Sequence, residues 1–216
     1  GLSSSAAVEC AVAFALNELL QSGFSRKELA LMAQAAEHQY AGVKCGIMDQ
    51  FASLFGKKDH VIRLDCRSLE YEYFPLELGQ YAIVLFDTMV KHSLASSEYN
   101  IRRSQCEEGV MQIRQNYPSV HSLRDATMEM VNECIGEFET AHQRCKYVVE
   151  EIDRLQKGCK DLQAGDLIAF GKRMFATHDG LSKEYEVSCK ELDYLVNYVR
   201  NNPAVIGARM MGGGFG

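Results

Sequence analysis

Residues 4–20 form a nearly unbroken run of helix-forming apolar residues, SSAAVECAVAFALNELL, interrupted only by Glu9, Asn17 and Glu18. The pattern predicts a helix covered on most of its sides. Ser22-Gly23 ends it, and Ser25 with Glu28 then spells a capping box for a second helix reaching about Tyr40. After the loop at 41–46, a short third helix is expected at about 47–55, stopped by Gly56. The period then changes to two. Glu70 and Glu72 alternate with Leu69, Tyr71 and Tyr73, so strands at 61–65 and 69–74 are predicted around a Cys66-Arg67-Ser68 turn, as a hairpin with one wet face.

Residues 81–89 read as a continuous apolar strand, and helical periodicity dominates from Ser96 to Pro203. Helices are expected at about 97–116, 123–134, 137–160, 166–179 and 189–201, the last opened by a second capping box of Ser188 and Glu191. A final strand at 205–211 runs into Gly212-Gly213-Gly214. With three prolines and no repeat of 20–50 residues, solenoids and propellers are excluded and a compact mixed α and β chain is implied. The shift from hairpin to strand plus long helices places a domain boundary within 75–80, dividing the chain into 1–77 and 78–216.

Composition narrows the function. The 216 residues are 47% hydrophobic, enough for one or two packed domains. The 29 acidic against 23 basic residues leave a formal net charge of −6, which gives no broad positive field for nucleic acid or an anionic membrane. The richest apolar stretch, 6–16, contains Glu9 and falls short of the roughly 18 residues a membrane span needs. Eight cysteines without a CxxC pair point to a reducing cytoplasmic setting. The start at Gly1 and the end within a glycine run read as cut ends.

GLSSSAAVE is the most informative local feature. Free N–H groups at a helix start, with the positive end of the dipole, favour an anion, and Gly and Ser let phosphate oxygens come close. One serine there would be an ordinary N-cap, but three in a row exceed what a cap requires. No GxxxxGK[ST] motif occurs, so the cradle is not of the Walker type. Glu37, late on the second helix, and Asp49, in GIMDQF, are the carboxylates to single out, although each alone has a structural explanation. His142 and Cys145 lie three apart on an expected helix, but no second pair with ligand spacing supports zinc. The mixed charges of 137–160 read as a solvated helix face with ion pairs.

Taken together, GLSSSAAVE, GVKCGIMDQF, HSLASSEYNIRRSQCEE and ARMMGGGFG resemble the GHMP small-molecule kinases, and within them the galactose-phosphorylating branch. The resemblance runs from Gly1 to Gly216 and implies an α+β, two-domain GHMP kinase architecture with antiparallel sheets covered by helices. It implies ATP and Mg²⁺, with galactose as the sugar. Gly1, Leu2, Ser3, Ser4 and Ser5 would wrap the triphosphate, and Ser5 with Glu37 would hold Mg²⁺. Asp49 would face the sugar's C1 hydroxyl as the catalytic carboxylate, Tyr99 would lie against the sugar, and Gly212 to Gly214 would form a floor near the active site. A monomer is expected, a dimer being compatible. An N-acetylgalactosamine kinase and a sugar-sensing regulator share the resemblance. The family's first motif has no counterpart, since Glu37-His38-Gln39-Tyr40 lacks its Asp, so this stretch alone is expected not to turn over.

Overall fold

The computed structural model describes residues 3–42, 45–90 and 95–216. They form two compact units, Gly1–Gly79 and Gln80–Gly216. Among the described residues, no helix is long and apolar enough to cross a membrane.

The first unit holds three helices and a hairpin. Helix α1 (Ser4–Leu20) ends where Gln21 turns left-handed at φ 51°, and the Asn17 side chain ties off the exit by bonding both the N–H and the carbonyl of Phe24. Only Ala6 and Cys10 of α1 are buried, while Val8, Val12, Leu16 and Leu19 are exposed, so the expectation of burial on most sides is corrected. Two neighbouring helices cover a single stripe of a 17-residue helix, and the rest stays open.

Helix α2 (Arg26–Ala36) starts at the expected capping box. The Glu28 N–H donates to Ser25 Oγ at 3.3 Å, and the Ser25 N–H donates to Glu28 Oε2 at 2.8 Å. A π-helical turn, Glu37–Ala41, carries the helix on until Gly42 stops it at φ 69°. Helix α3 (Met48–Phe55) closes on Gly56 and buries Gln50, Phe51, Leu54 and Phe55. Phe51, Leu54 and Phe55 join Cys10, Leu29, Ala30, Ala33 and Ile47 in one core.

Strands β1 (His60–Leu64) and β2 (Tyr71–Pro75) pair antiparallel with Ile62 opposite Tyr73. The Cys66-Arg67-Ser68 turn is organised by Asp65 Oδ1, which accepts from the N–H groups of Arg67 and Ser68. Tyr71 meets the stacked Phe51–Phe55 pair edge-on, with 5.2 Å between the Tyr71 and Phe51 ring centres. Phe74, on the face of Glu72, is nonetheless buried under the Arg63 guanidinium, so the second face is not simply wet.

The second unit is helical: α4 (Ala95–Asn116), α5 (Met128–Cys134), α6 (Thr140–Gln163), α7 (Leu167–Lys183) and α8 (Lys190–Arg200). The helix expected at 123–134 is split into a 3₁₀ turn, Leu123–Asp125, and α5, because the Thr127 side chain caps a new start on the Met130 N–H. The second capping box does not form. Cys189 is the N-cap of α8, and the Ser188 hydroxyl instead donates to Asp193 Oδ1 at 2.6 Å. Helix α6 shows Lys146–Glu150 and Lys157–Asp153 pairs on its outer side, but Ala141, Cys145, Tyr147 and Cys159 face inward, so the solvated-face reading covers only half of it. His142 bonds Asn132 Oδ1 at 3.0 Å, and Cys145 sits in the core with Ile113, Val131 and Ile135. Tyr147 and Tyr185 lie together with ring centres 5.2 Å apart, Tyr147 seated against Gly180, where a Cβ would strike its ring.

Neither strand expected in this unit is present. Residues 81–89 and 205–211 form no strand, and Ile83, Val84, Leu85 and Phe86 are each 60% or more exposed. An apolar run becomes a strand only when a neighbour completes its ladder, and the described residues pair no strand with either segment. Segment 205–211 is held otherwise. Gly207 lies directly on Gly171 of α7, backbone to backbone, leaving no space for a Cβ at either position. The Met210 N–H donates to Nδ1 of the buried His178, whose Nε2 faces Asp193 Oδ1 at 3.2 Å. That arrangement fixes the neutral imidazole with its proton on Nε2.

Two consequences are measurable. Gly171→Ala should destabilise the second unit by about 1–3 kcal/mol, read by chemical denaturation, because the opposing atoms are backbone and cannot swing away. Burial outweighs the attraction of Asp193 and holds the His178 imidazole below its ordinary value. The unfolded chain therefore takes up a proton near pH 6.5 that the native state resists. The stabilisation is complete above about pH 6.5 and declines as pH falls towards the native value. Protection of the Met210 amide from hydrogen exchange, corrected for intrinsic rates, should decrease on acidification from pH 7 to 5 and change less in His178→Gln.

Candidate functional site

The start of α1 presents the expected serines in an unusual backbone setting. Ser3, the N-cap, is left-handed at φ 48°, and its side chain makes no capping hydrogen bond. Ser3, Ser4 and Ser5 are all exposed, and the first turn carries no acidic residue. The ordinary N-cap reading therefore fails for Ser3. The opening N–H groups lack the partner a capping serine supplies, which leaves them to an external acceptor. Gly1 and Leu2 lie outside the described residues.

One turn below Ser5 on α1 is Glu9, four residues on and so on the same side of the helix. Glu9 meets Glu37, which opens the π-helical turn after α2 and is 8% exposed. Glu37 reaches this position because Ala30 and Ala33, seven and four residues earlier on the same face, are buried against the shared core. Gln50 of α3, 1% exposed, completes the cluster. Its backbone carbonyl accepts from Cys10 Sγ, and its amide nitrogen lies 3.8 Å from Cys45 Sγ. Gln34 Nε2 and His38 Nε2 both reach the Cys45 carbonyl, at 3.2 and 2.9 Å, tying the loop after Gly42 back to α2. His38 thus serves that loop.

The electrostatics are unusual. Glu9 Oε2, Glu37 Oε2 and Gln50 Oε1 are buried with no hydrogen-bond partner among the described residues. Burial first, then the adjoining Glu37, push the Glu9 carboxyl above the usual carboxylate range, opposed by a hydrogen bond from Gln50. Burial also raises the Cys45 thiol. Magnesium selects oxygen donors and is commonly held by one or two carboxylates with phosphates and water. The bare, buried Glu37 oxygen beside a second carboxylate fits such an ion. Glu9 and Gln50 escaped the sequence reading, although a charge breaking an apolar helix one turn after Ser5 was a usable signal.

Asp49 is the second residue of α3, half-buried, on a helix whose other side is in the core. Its main-chain carbonyl accepts from Ser53 Oγ at 2.9 Å, and its carboxylate accepts no hydrogen bond from the described residues. Among the expected site residues, the structure groups Ser5, Glu37 and Asp49 in the first unit, with Glu37 in contact with Glu9. Tyr99 belongs to the second unit, 42% exposed near the start of α4. His92, Ser93 and Leu94 of the same motif, and Val43-Lys44 of the Asp49 motif, lie outside the described residues.

The glycine run at 212–214 is shaped by its neighbours in the second unit. Gly214 (φ 93°) sits on the Val187 carbonyl where a Cβ would collide, and the Phe215 N–H donates to that same carbonyl at 2.7 Å. The turn that supplies Val187 is gripped by two arginines. Arg102 donates to the Tyr185 and Glu186 carbonyls at 2.8 and 2.9 Å, and the buried Arg144 donates to the Glu184 carbonyl and the Glu186 carboxylate.

Because Glu37 contributes to holding the Glu9 carboxyl high, Glu37→Gln should bring the Glu9 titration down towards the ordinary glutamate range near 4.3. Carboxyl ¹³C NMR titration of glutamate-labelled protein reads this directly, and an unmoved Glu9 midpoint would contradict the contact.

Comparison with known proteins follows the same geography. The model of the GHMP kinases N terminal domain matches residues 1–57, and that of the GHMP kinases C terminal matches residues 155–216. A galactokinase of Thermotoga petrophila is 47% identical over 216 residues, all of this chain and 59% of that protein. A galactokinase of Homo sapiens is 42% identical over all of this chain and 54% of its own length. The crystal structure of Lactococcus lactis galactokinase complexed with galactose superposes with a TM-score of 0.91 at 37% identity, covering 98% of this chain and 55% of that one. The chain thus spans a little over half the length of these relatives. With both family models matched in order and relatives aligned from end to end, the chain belongs to the GHMP kinase family.

Proposed function

We propose that the protein of which these residues are part is a galactokinase, transferring the γ-phosphoryl group of ATP to the C1 hydroxyl of galactose to give galactose 1-phosphate and ADP. The observation that carries this reading is that galactokinases align with every residue of the chain, the segments between the nucleotide and sugar motifs included. The uncapped start of α1 supports the nucleotide half: Gly1 to Ser5 wrap the triphosphate, with backbone N–H groups meeting its oxygens. Ser5 and Glu37 hold Mg²⁺, which when bound neutralises charge on the phosphates. Residues 1–77 belong to the N-terminal kinase domain and 78–216 to the C-terminal one.

Phosphoryl transfer of this kind passes through a loose transition state, so alignment and charge neutralisation matter more than a strong base. Asp49, with a carboxylate that no described side chain occupies, orients the C1 hydroxyl and takes its proton. An ordinary aspartate is far less basic than an alkoxide, so the proton moves late, once the oxygen has begun to bond to phosphorus. Tyr99 lies against the sugar ring. A cytoplasmic location and a monomeric state complete the proposal.

Asp49→Asn in the full-length protein should lower kcat by at least 10³-fold while galactose still binds, measured by coupled ADP release and by calorimetric titration with the sugar. Near-normal turnover would remove Asp49 from the chemistry. Failure of the unsubstituted protein to form galactose 1-phosphate, when several sugars are compared by product analysis, would reject the assignment itself.

A further inference from the structure

We propose that Glu9 is a second acidic group of the divalent-cation site, acting beside Glu37 and one helical turn from Ser5. The inference rests on the assignment of Glu37 to that cation and goes one residue further. Three observations carry it.

The first is contact. Glu9 touches both Glu37 and Gln50, so α1, the turn after α2, and α3 all send an oxygen-bearing side chain to one place. The second is dissatisfaction. Each of the three side chains keeps one buried oxygen without a partner among the described residues, and Glu37 and Gln50 are 8% and 1% exposed. Buried polar atoms are rarely left bare, and a bare carboxylate oxygen on each of two side chains in contact suits a hard cation. The third is charge. No lysine or arginine among the described residues pairs with Glu9 or Glu37, yet two carboxylates in contact, Glu37 buried and Glu9 half-buried, repel unless positive charge lies against them.

Helix geometry completes the arrangement. Ser5 and Glu9 are four apart on α1 and lie one above the other along a single face. An ion that uses the Ser5 hydroxyl and the Glu37 carboxylate therefore lies on the side of α1 that also bears Glu9. A purely structural Glu9 would be an expensive occupant there, whereas a cation turns the repulsion between the two carboxylates into shared attraction. Gln50, neutral and almost fully buried, donates to Glu9 and adds no charge to the cluster.

The test is direct binding of Mn²⁺, followed by electron paramagnetic resonance of the free ion, in the full-length protein with β,γ-methylene-ATP present. Glu9→Gln and Glu37→Gln preserve shape and remove charge, and each should weaken Mn²⁺ at least tenfold. Glu9→Asp, which keeps the charge but shortens its reach, should bind between wild type and Glu9→Gln; it also carries the test alone if the amide variant does not fold, with a weakening of threefold or more expected. Unchanged Mn²⁺ affinity in the Glu9 variants, with affinity lost in Glu37→Gln, overturns this inference and leaves the proposed function standing. Unchanged affinity in all of them rejects the Glu37 assignment beneath it.

Discussion

The close approach of α1 and α2 is the constraint on which the first unit depends. Ala6 and Cys10 on one helix and Ala30 and Ala33 on the other are all small and almost fully buried, so the two backbones come together with little between them. Long side chains on these faces would hold the helices apart. Because the stripe is made of small residues, what lies at its edge is drawn in as well: Glu9 beside Cys10, and Glu37 one turn after Ala33. The aromatic end of the core, Phe51 and Phe55 against Tyr71, then anchors α3 and brings Gln50 under the same pair. A packing rule for small residues thereby becomes a placement rule for carboxylates.

The second unit solves a different problem, which is how to hold irregular backbone in place. The turn 184–187 and the run 204–216 contain no helix or strand, and their polar groups need partners. Arg102 and Arg144 supply donors to successive carbonyls of the turn, and His178 supplies an acceptor to the run. Both charged clamps and the imidazole come from long helices, α4, α6 and α7, whose own backbones are satisfied internally. Regular structure thus provides the rigidity, and side chains export it to the segment bearing the glycines. The Gly214 and Phe215 contacts with Val187 are the end of that chain of support.

How far the amino-acid order reveals this depends on the range of the interactions involved. The Ser25–Glu28 box, the stop at Gly56 and the hairpin turn at Asp65 involve partners within a few residues, and each is readable by inspection. The apolar runs at 81–89 and 205–211 have the composition of strands, but a strand is defined by its neighbour, which no local pattern contains. Ser188 and Glu191 have the spacing of a cap, yet Asp193, only two residues further on, competes for the serine hydroxyl. At the site, Ser3 to Ser5, Glu37 and Asp49 stand out because their motifs are compact. Glu9 was hidden in plain view as an interruption of an apolar helix, since its meaning comes from Glu37, twenty-eight residues away, and from Gln50 beyond it.

The tyrosine pair buried in the second unit also has an optical consequence. The chain contains ten tyrosines and no tryptophan, so its near-ultraviolet absorbance and its emission are essentially those of tyrosine. Burial holds the Tyr147 and Tyr185 hydroxyls far above their usual ionisation, while Tyr194 and Tyr198 lie stacked in the solvent on α8. Raising the pH therefore draws tyrosinate from this buried pair late, as the helices around Gly180 come apart. The tyrosinate contributed by Tyr147 and Tyr185 thus gives an ordinary alkaline spectrum a built-in gauge of whether the second unit is folded.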